Sequence, residues 1–303
     1  MKAKKKKMSL MQKRAVTGFI FIAPWLIGFL WFYVKGFIQA VVFSFSNMTM
    51  LDSGGYSLDF AGIDNFKYIF LQDADYNQIL VDSIVNMLID VPLIIFFSLF
   101  IAIILNSKFK GRTLMRAILF LPIIMNAGAI SDSLALAQQT VLGGVAAVST
   151  ELDVNSGVNV SYLMGMLVDL GMPTALTSYI IEAVGRIYDI VQASGVQIII
   201  FIAALQSVPG ALYEVAKIEG ATAYETFWKV TFPMVSPLIV TNVVYTIVDA
   251  FMNSEVVNEA YEMAFTNFNW SVSVAMSLVS SIVVCAVLVI ITKLISSRVF
   301  YYN

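Results

Sequence analysis

The chain has 303 residues, of which 59% are hydrophobic and only 13% charged, about half the charged share of a soluble protein; so few charges cannot cover a water-facing surface, which excludes an ordinary soluble domain. The net charge of −2 offers nothing to a polyanion, so no nucleic-acid partner is expected. There is no histidine, and the one cysteine, Cys285, lies in an apolar run, so a histidine metal site, a histidine proton relay and an internal disulfide are all excluded. No cofactor, metal or catalytic residue is expected.

In chain order, a basic segment over 1–15 precedes the first apolar run. A spanning helix needs about 20 mostly apolar residues. Val16 to Val34 is nineteen residues without a charge and predicts a first span near 16–38. It is longer than a signal-peptide core and no small-residue cleavage site follows, so it reads as an uncleaved span. Ile84 to Leu105, apolar apart from Asp90 and Pro92, predicts a second span near 84–106. The run after Arg116 predicts a third near 116–138, and Ile180 to Gln206 a fourth near 180–206 with Glu182, Arg186 and Asp189 near its start. Val230 to Val248 predicts a fifth near 233–254, and the uncharged stretch Met263 to Thr292 a sixth near 271–294. Residues 138–177, rich in Gly, Ala, Ser, Thr and Val, suit short interfacial helices in an external loop. The expected fold class is an all-α membrane protein of about six transmembrane helices, with the membrane body over 16–297.

The basic residues orient it. Lys2, Lys4 to Lys7, Lys13 and Arg14 precede the first span. Lys108, Lys110, Arg112 and Arg116 lie between spans two and three. Lys217 and Lys229 lie between four and five, and Lys293 and Arg298 follow the last. Fifteen of the eighteen Lys and Arg therefore share one side, leaving Lys35, Lys67 and Arg186. The positive-inside rule puts both termini in the cytoplasm. The loop 46–80, with five Asp and one Lys, suits the outer side.

The cytoplasmic stretch 207–232 carries the most information. Pro209 can occupy the first position of a helix. Glu214, Ala216, Lys217 and Ala221 suit that helix, and Gly220 interrupts it. Residues 221–230 can form a second short helix with Phe227 and Trp228, ended by Pro233 before the fifth span. Such a bent two-helix protrusion could dock in a groove of a soluble partner. It could equally rest on the membrane surface as an amphipathic loop.

The spacing of Glu214, Ala216, Gly220, Val230, Phe232 and Pro233 resembles the EAA motif of ABC importer permeases, with Val215 in place of a usual small residue. The resemblance extends along most of the chain, to the carbohydrate branch and its MalF/UgpA-type subunit. Arg14 to Trp25 is similar to that family's opening, and Phe60-Ala-Gly-Ile-Asp64-Asn65-Phe to an external segment. Lys110 to Arg116 with Leu121-Pro122 is similar to the approach to its third span, and Ser297-Arg298-Val-Phe-Tyr-Tyr to its tail. Two departures stand out. Asn258-Glu-Ala-Tyr-Glu-Met-Ala-Phe replaces the usual Gly-Gly-Pro turn, and 138–177 lacks the usual tryptophan-rich pattern.

The resemblance implies an ABC importer type I permease fold with a cytoplasmic two-helix coupling loop, in a bacterial cell membrane. It implies four kinds of partner: a second homologous permease subunit, a cytoplasmic ABC ATPase dimer, an extracytoplasmic sugar-binding protein and the lipid bilayer. The chain carries no Gly-x-x-x-x-Gly-Lys-[Ser/Thr] phosphate loop, so ATP hydrolysis is expected on a separate subunit. Coupling would rest on Glu214, Ala216, Lys217, Glu219, Gly220, Ala221, Phe227 and Pro233. Glu214 would pair with a basic ATPase residue, Gly220 would make the bend, and Ala216 and Ala221 would permit close approach.

Polar residues inside spans are candidates for a sugar path, since such residues face a bundle interior or a water-filled cavity. These are Asn86 and Asp90 in span two, Asn126 in span three and Gln197 in span four. Asn242, Tyr245, Asp249 and Asn253 follow at steps of three or four in span five. Each could instead serve only interhelical hydrogen bonding. Glu182, Arg186 and Asp189 read as a structural ion-pair set near the outer interface. The expected cargo is a di- or oligosaccharide. Alternatives are an importer of a non-sugar such as glycerol phosphate, an ion-coupled secondary carrier using Asp90 and Asp249, and a non-transporting scaffold. The lack of an intramembrane Arg or Lys cluster favours neutral sugar over phosphate.

Overall fold

The computed structural model describes residues 10–51, 54–107, 110–117, 166–167, 169–297 and 299. The third expected span after its first two residues, Asn126 in it, and most of 138–177 lie outside the described residues. The chain divides into two compact units, Met1–Ser83 with Asn253–Cys285, and Ile84–Met252 with Ala286–Asn303.

In the first unit, α1 (Leu10–Gly28) continues through a π-helical turn, Phe29–Val34, into α2 (Lys35–Ser44). The aromatic spacing builds a column along it. Trp25 stacks on Phe29 at 5.3 Å and Phe29 on Tyr33 at 5.2 Å. An 18-residue apolar window within Val16–Ser44 holds no buried residue, as suits a helix solvated by lipid and anchored by aromatic rings.

The helical fold carries one small hairpin besides. Strands β1 (Ser46–Met50) and β2 (Tyr56–Phe60) pair antiparallel with Ser46 opposite Phe60 and Met50 opposite Tyr56. Gly54 and Gly55, at φ +87° and +91°, supply the left-handed backbone of the turn. The segment is polar on one side and too short to span, so hydropathy does not reveal it. After it, α3 (Asp64–Lys67) begins at the Phe60-x-Gly62-x-x-Asn65 segment. Asn65 is buried, and its amide donates to the carbonyls of Ser44 and Ser46 at 3.1 Å each. It thereby ties the end of α2 and the start of β1 to α3.

Helix α4 (Tyr76–Asn106) starts eight residues before the expected boundary. The cause is a cap: Asp73 Oδ1 accepts from the N–H of Tyr76 at 3.0 Å and of Asp75 at 3.1 Å. The fully buried Tyr76 donates its hydroxyl to the carbonyl of Met276 at 2.9 Å.

In the second unit, α5 (Thr174–Ala193) and α6 (Gly195–Ser207) meet at a bend of 51°. The bend falls at Ser194-Gly195, a pair that commonly kinks helices. Ser194 donates its hydroxyl to Ile190 C=O instead of leaving the ladder intact, and Ser98 of α4 donates to Ser194 C=O at 3.4 Å. Helix α7 (Gly210–Ile218) and the short α8 (Ala223–Thr226) follow. A π-helical turn, Phe227–Thr231, then leads into α9 (Phe232–Met252). Helices α6 and α9 pack closely, and Ile198, Phe201 and Leu205 of the one and Val235, Val243 and Ile247 of the other are buried. In a bilayer such contacts stabilise by dispersion and shape fit, since lipid is as apolar as the side chains.

Beyond α9, α10 (Glu255–Phe265) and α11 (Trp270–Ser296) divide the uncharged stretch Met263 to Thr292. Phe268, at φ +54°, turns the chain between them. Ser271 Oγ accepts from Met48 N–H at 2.7 Å, joining β1 to the start of α11.

Among the described residues, four helical stretches are long and apolar enough to cross a bilayer: Val16–Ser44, Tyr76–Asn106, Ala223–Phe265 and Trp270–Ser296. The bent pair Leu176–Ala193 and Gly195–Ser207 makes a fifth if it crosses as one span.

Candidate functional site

The segment between α6 and α9 is built from three local devices. The first starts α7. Pro209 is extended, at φ −59° and ψ 130°, so it is the residue before the helix and Gly210 is the first helical one. That is one position later than expected. The second ends α7 with a Schellman motif. Gly220 takes φ +74°, its N–H donates to Lys217 C=O at 3.1 Å, and Ala221 N–H donates to Ala216 C=O at 2.9 Å. The third starts α8 with a capping box. Thr222 Oγ1 accepts from Glu225 N–H at 3.3 Å, and Glu225 Oε2 accepts from Thr222 N–H at 3.0 Å. The Thr222-Ala-Tyr-Glu225 spacing is the sequence signature of this cap.

Two expectations change here. Pro233 does not end a helix, because the π-helical turn runs on directly and Pro233 is the second residue of α9. A π turn resets the hydrogen-bond ladder, and proline is tolerated in a first turn where its missing N–H has no obligatory acceptor. Ala216 is not on the outer surface. It is 7% exposed and packs inward, so its small size serves this chain's own packing.

The outward face mixes charge with exposed apolar side chains such as Val215 and Ile218. Glu214, Lys217 and Glu219 are exposed. Beside them a cleft of about 460 Å³ opens between the end of α4, at Asn106 and Ser107, and the bent segment, at Tyr213, Lys217, Ala221 and Phe227. The Tyr213 hydroxyl lies 3.2 Å from that of the buried Thr231, holding α7 against the π turn. Trp228 contacts Phe227 at 5.1 Å and Phe232 at 5.2 Å and remains 47% exposed. The Glu225 carboxyl is held below its ordinary range by the Thr222 N–H first, then the Thr222 hydroxyl, then Lys229 at 3.7 Å.

The polar residues of the spans separate into two groups. Gln197 of α6 and Asn242 of α9 are fully buried and come together. Gln197 Nε2 donates to Thr246 Oγ1 at 3.1 Å, Thr246 Oγ1 donates to Asn242 C=O at 2.8 Å, and Asn242 Nδ2 reaches Gln197 C=O at 3.5 Å. Thr246 joins them although a threonine in an apolar run carries no distinguishing sequence signal. Tyr245 and Asn253 are exposed and Asp249 is half-buried, on α9 and just beyond it. Asn86 is exposed and joins neither group. Asp90 pairs with Arg186, whose Nη2 lies 2.8 Å from Asp90 Oδ1. The partner of Arg186 is thus on α4, rather than Glu182 or Asp189 on its own helix. Groups one turn apart on an exposed helix face need no cross-helix packing to stay solvated, whereas Asp90 and Arg186 face each other across two helices. Among the described residues, no group of three or more His, Cys, Asp or Glu could hold a metal ion.

No protein-family model matches the chain. It is 31% identical over 253 residues to the probable ABC transporter permease protein YesP of Bacillus subtilis (strain 168), covering 82% of this chain and 74% of the relative. It is 29% identical over 218 residues to the multiple sugar-binding transport system permease protein MsmF of Streptococcus mutans, covering 72% and 68%. A chain of a bacterial alginate ABC transporter, solved with its alginate pentasaccharide-bound periplasmic protein, matches with a TM-score of 0.61 at 19% identity, over 94% of this chain and 96% of that one. That likeness is one of fold.

Proposed function

The chain belongs to the family of ABC transporter permeases, and from that premise we propose that it is the membrane subunit of an ATP-driven, binding-protein-dependent importer of di- or oligosaccharides. The observation that supports this best is the Gly220 turn, which presents Glu214 and Lys217 on an exposed helix beside an open cleft. MsmF is named for a multiple sugar-binding system, which favours a sugar as cargo.

In this reading 207–232 lies in the cytoplasm with both termini. Helix α7 docks on one subunit of a separate ABC ATPase dimer, where Glu214 meets a basic residue. A second, homologous permease completes the path, and an extracytoplasmic sugar-binding protein delivers the cargo. Closure of the ATPase pair on ATP moves α7, and the rigid packing of α6 on α9 passes that movement into the spans. The buried Gln197, Asn242 and Thr246 hold that contact. Tyr245, Asp249 and Asn253 line the path for hydroxyl-rich cargo.

The test is affinity purification of the tagged chain from its own membrane in mild detergent, with partners identified by mass spectrometry. A second permease and a nucleotide-binding subunit are expected, the latter lost on Glu214→Arg. Recovery of the chain without any ATPase, in several detergents, would replace this reading with an ion-coupled carrier.

A further inference from the structure

We propose that Asp90 and Arg186 form a charge filter on the translocation path, one that turns away anionic solutes and admits uncharged sugars. The proposal rests on the importer reading and specifies which sugars that importer accepts.

The geometry is that of a neutralised arginine. Asp90 Oδ1 accepts from Arg186 Nε at 3.1 Å and from Nη2 at 2.8 Å. Asp90 lies inside the apolar run Ile84 to Leu105 of α4, six residues or about 9 Å from its start, farther than its short side chain can reach. The two side chains are nevertheless 31% and 39% exposed. A charged pair left partly open at that depth is costly against acyl chains and is tolerated where it faces water. The rest of the α5 stripe agrees. Glu182 and Asp189 stand one turn to either side of Arg186 and are exposed. A face with that many charges suits a wet path rather than lipid.

The sign of the field follows from the composition of the stripe. Arg186 is the one basic residue in α4, α5, α6 and α9. A free guanidinium would be a ready bidentate site for a carboxylate or phosphate. Here it is occupied by Asp90, and Glu182 and Asp189 leave the surroundings negative. Anions are repelled, while a neutral sugar experiences no net force.

The experiment uses the assembled transporter in proteoliposomes, with Cys285→Ser as background and Ala183→Cys as reporter. Ala183 is exposed one turn before Arg186. Its labelling rate is measured with a cationic thiosulfonate, the trimethylammonioethyl reagent, and an anionic one, the sulfonatoethyl reagent. The reporter should react with both from water, faster with the cation. Asp90→Asn should move the ratio of rates toward the anion by roughly fivefold, and Arg186→Gln should move it the opposite way. The double variant, which leaves neither charge unpaired, should return toward the starting ratio and guards against a misfolded single variant. A reporter that reacts with neither reagent, or a ratio indifferent to all three changes, overturns the filter. Failure of the unlabelled complex to contain an ATPase would instead overturn the importer reading, and the labelling ratio can be read without it.

Discussion

The N–H of Ala221 donates to the carbonyl of Ala216 at 2.9 Å, so the chain reverses over Gly220 and α8 begins two residues after the turn. This bond, and not open space, is why glycine stands there. A Cβ on Gly220 would meet nothing within 4 Å, but its φ of +74° is strained for a side-chain-bearing residue by roughly 1–2 kcal/mol. Gly220→Asn, which tolerates the left-handed region, should therefore keep most sugar uptake, and Gly220→Val should lose it while membrane yield is unchanged. Uptake into proteoliposomes with both variants checks this; equal activity of Val and Asn would show that the turn does not matter for coupling.

Glu214 is exposed, so Glu214→Arg should leave thermal stability of the isolated chain within about 0.5 kcal/mol. Placed against a basic partner, the reversed charge should weaken ATPase binding by roughly 2–5 kcal/mol. The two effects separate in a pull-down of the ATPase run beside a melting curve in detergent.

The capping box gives a pH dependence of known sign. Native contacts depress the Glu225 carboxyl, so its contribution is fully present above the unfolded carboxyl value of about 4.3. It is lost as pH falls through the lower folded value. Amide exchange of residues 223–226, corrected for intrinsic rates, should accelerate below that point. Thr222→Ala should cost about 1 kcal/mol of local helix stability at neutral pH and abolish most of the acid sensitivity.

Asn65 offers a stability test within the first unit. Asn65→Ala removes both donors to Ser44 and Ser46 and leaves two buried carbonyls without them, at a cost of roughly 2 kcal/mol. The melting temperature should fall, while labelling at Ala183→Cys should keep its reagent preference.

The Gln197–Asn242–Thr246 group is expected to hold α6 on α9 with modest energy, about 0.6 kcal/mol per interhelical bond. Asn242→Leu and Gln197→Leu in a double-mutant cycle should show coupling of that size. A large loss of uptake with little change in stability would instead place these side chains against the cargo.

The chain's long apolar runs, its one-sided lysines and arginines and the Glu214–Gly220–Pro233 spacing could be read directly, because each is a property of neighbours along the chain. Lipid demands unbroken apolar helices, and a left-handed turn demands a residue like Gly220. What the sequence left open were relations between distant residues. Arg186 could have paired with Glu182 or Asp189 on its own helix. Only the tertiary fold brings it to Asp90 of α4, ninety-six residues away. Gln197 and Asn242 were separate candidates until α6 met α9. Asn65 looked like a conspicuous loop residue until the turn after α2 gave it two carbonyls to hold. Ala216 looked like a surface contact until the bend of the segment turned it inward. In each case the choice depends on which helix faces lie together, and periodicity marks a face without saying what stands opposite it.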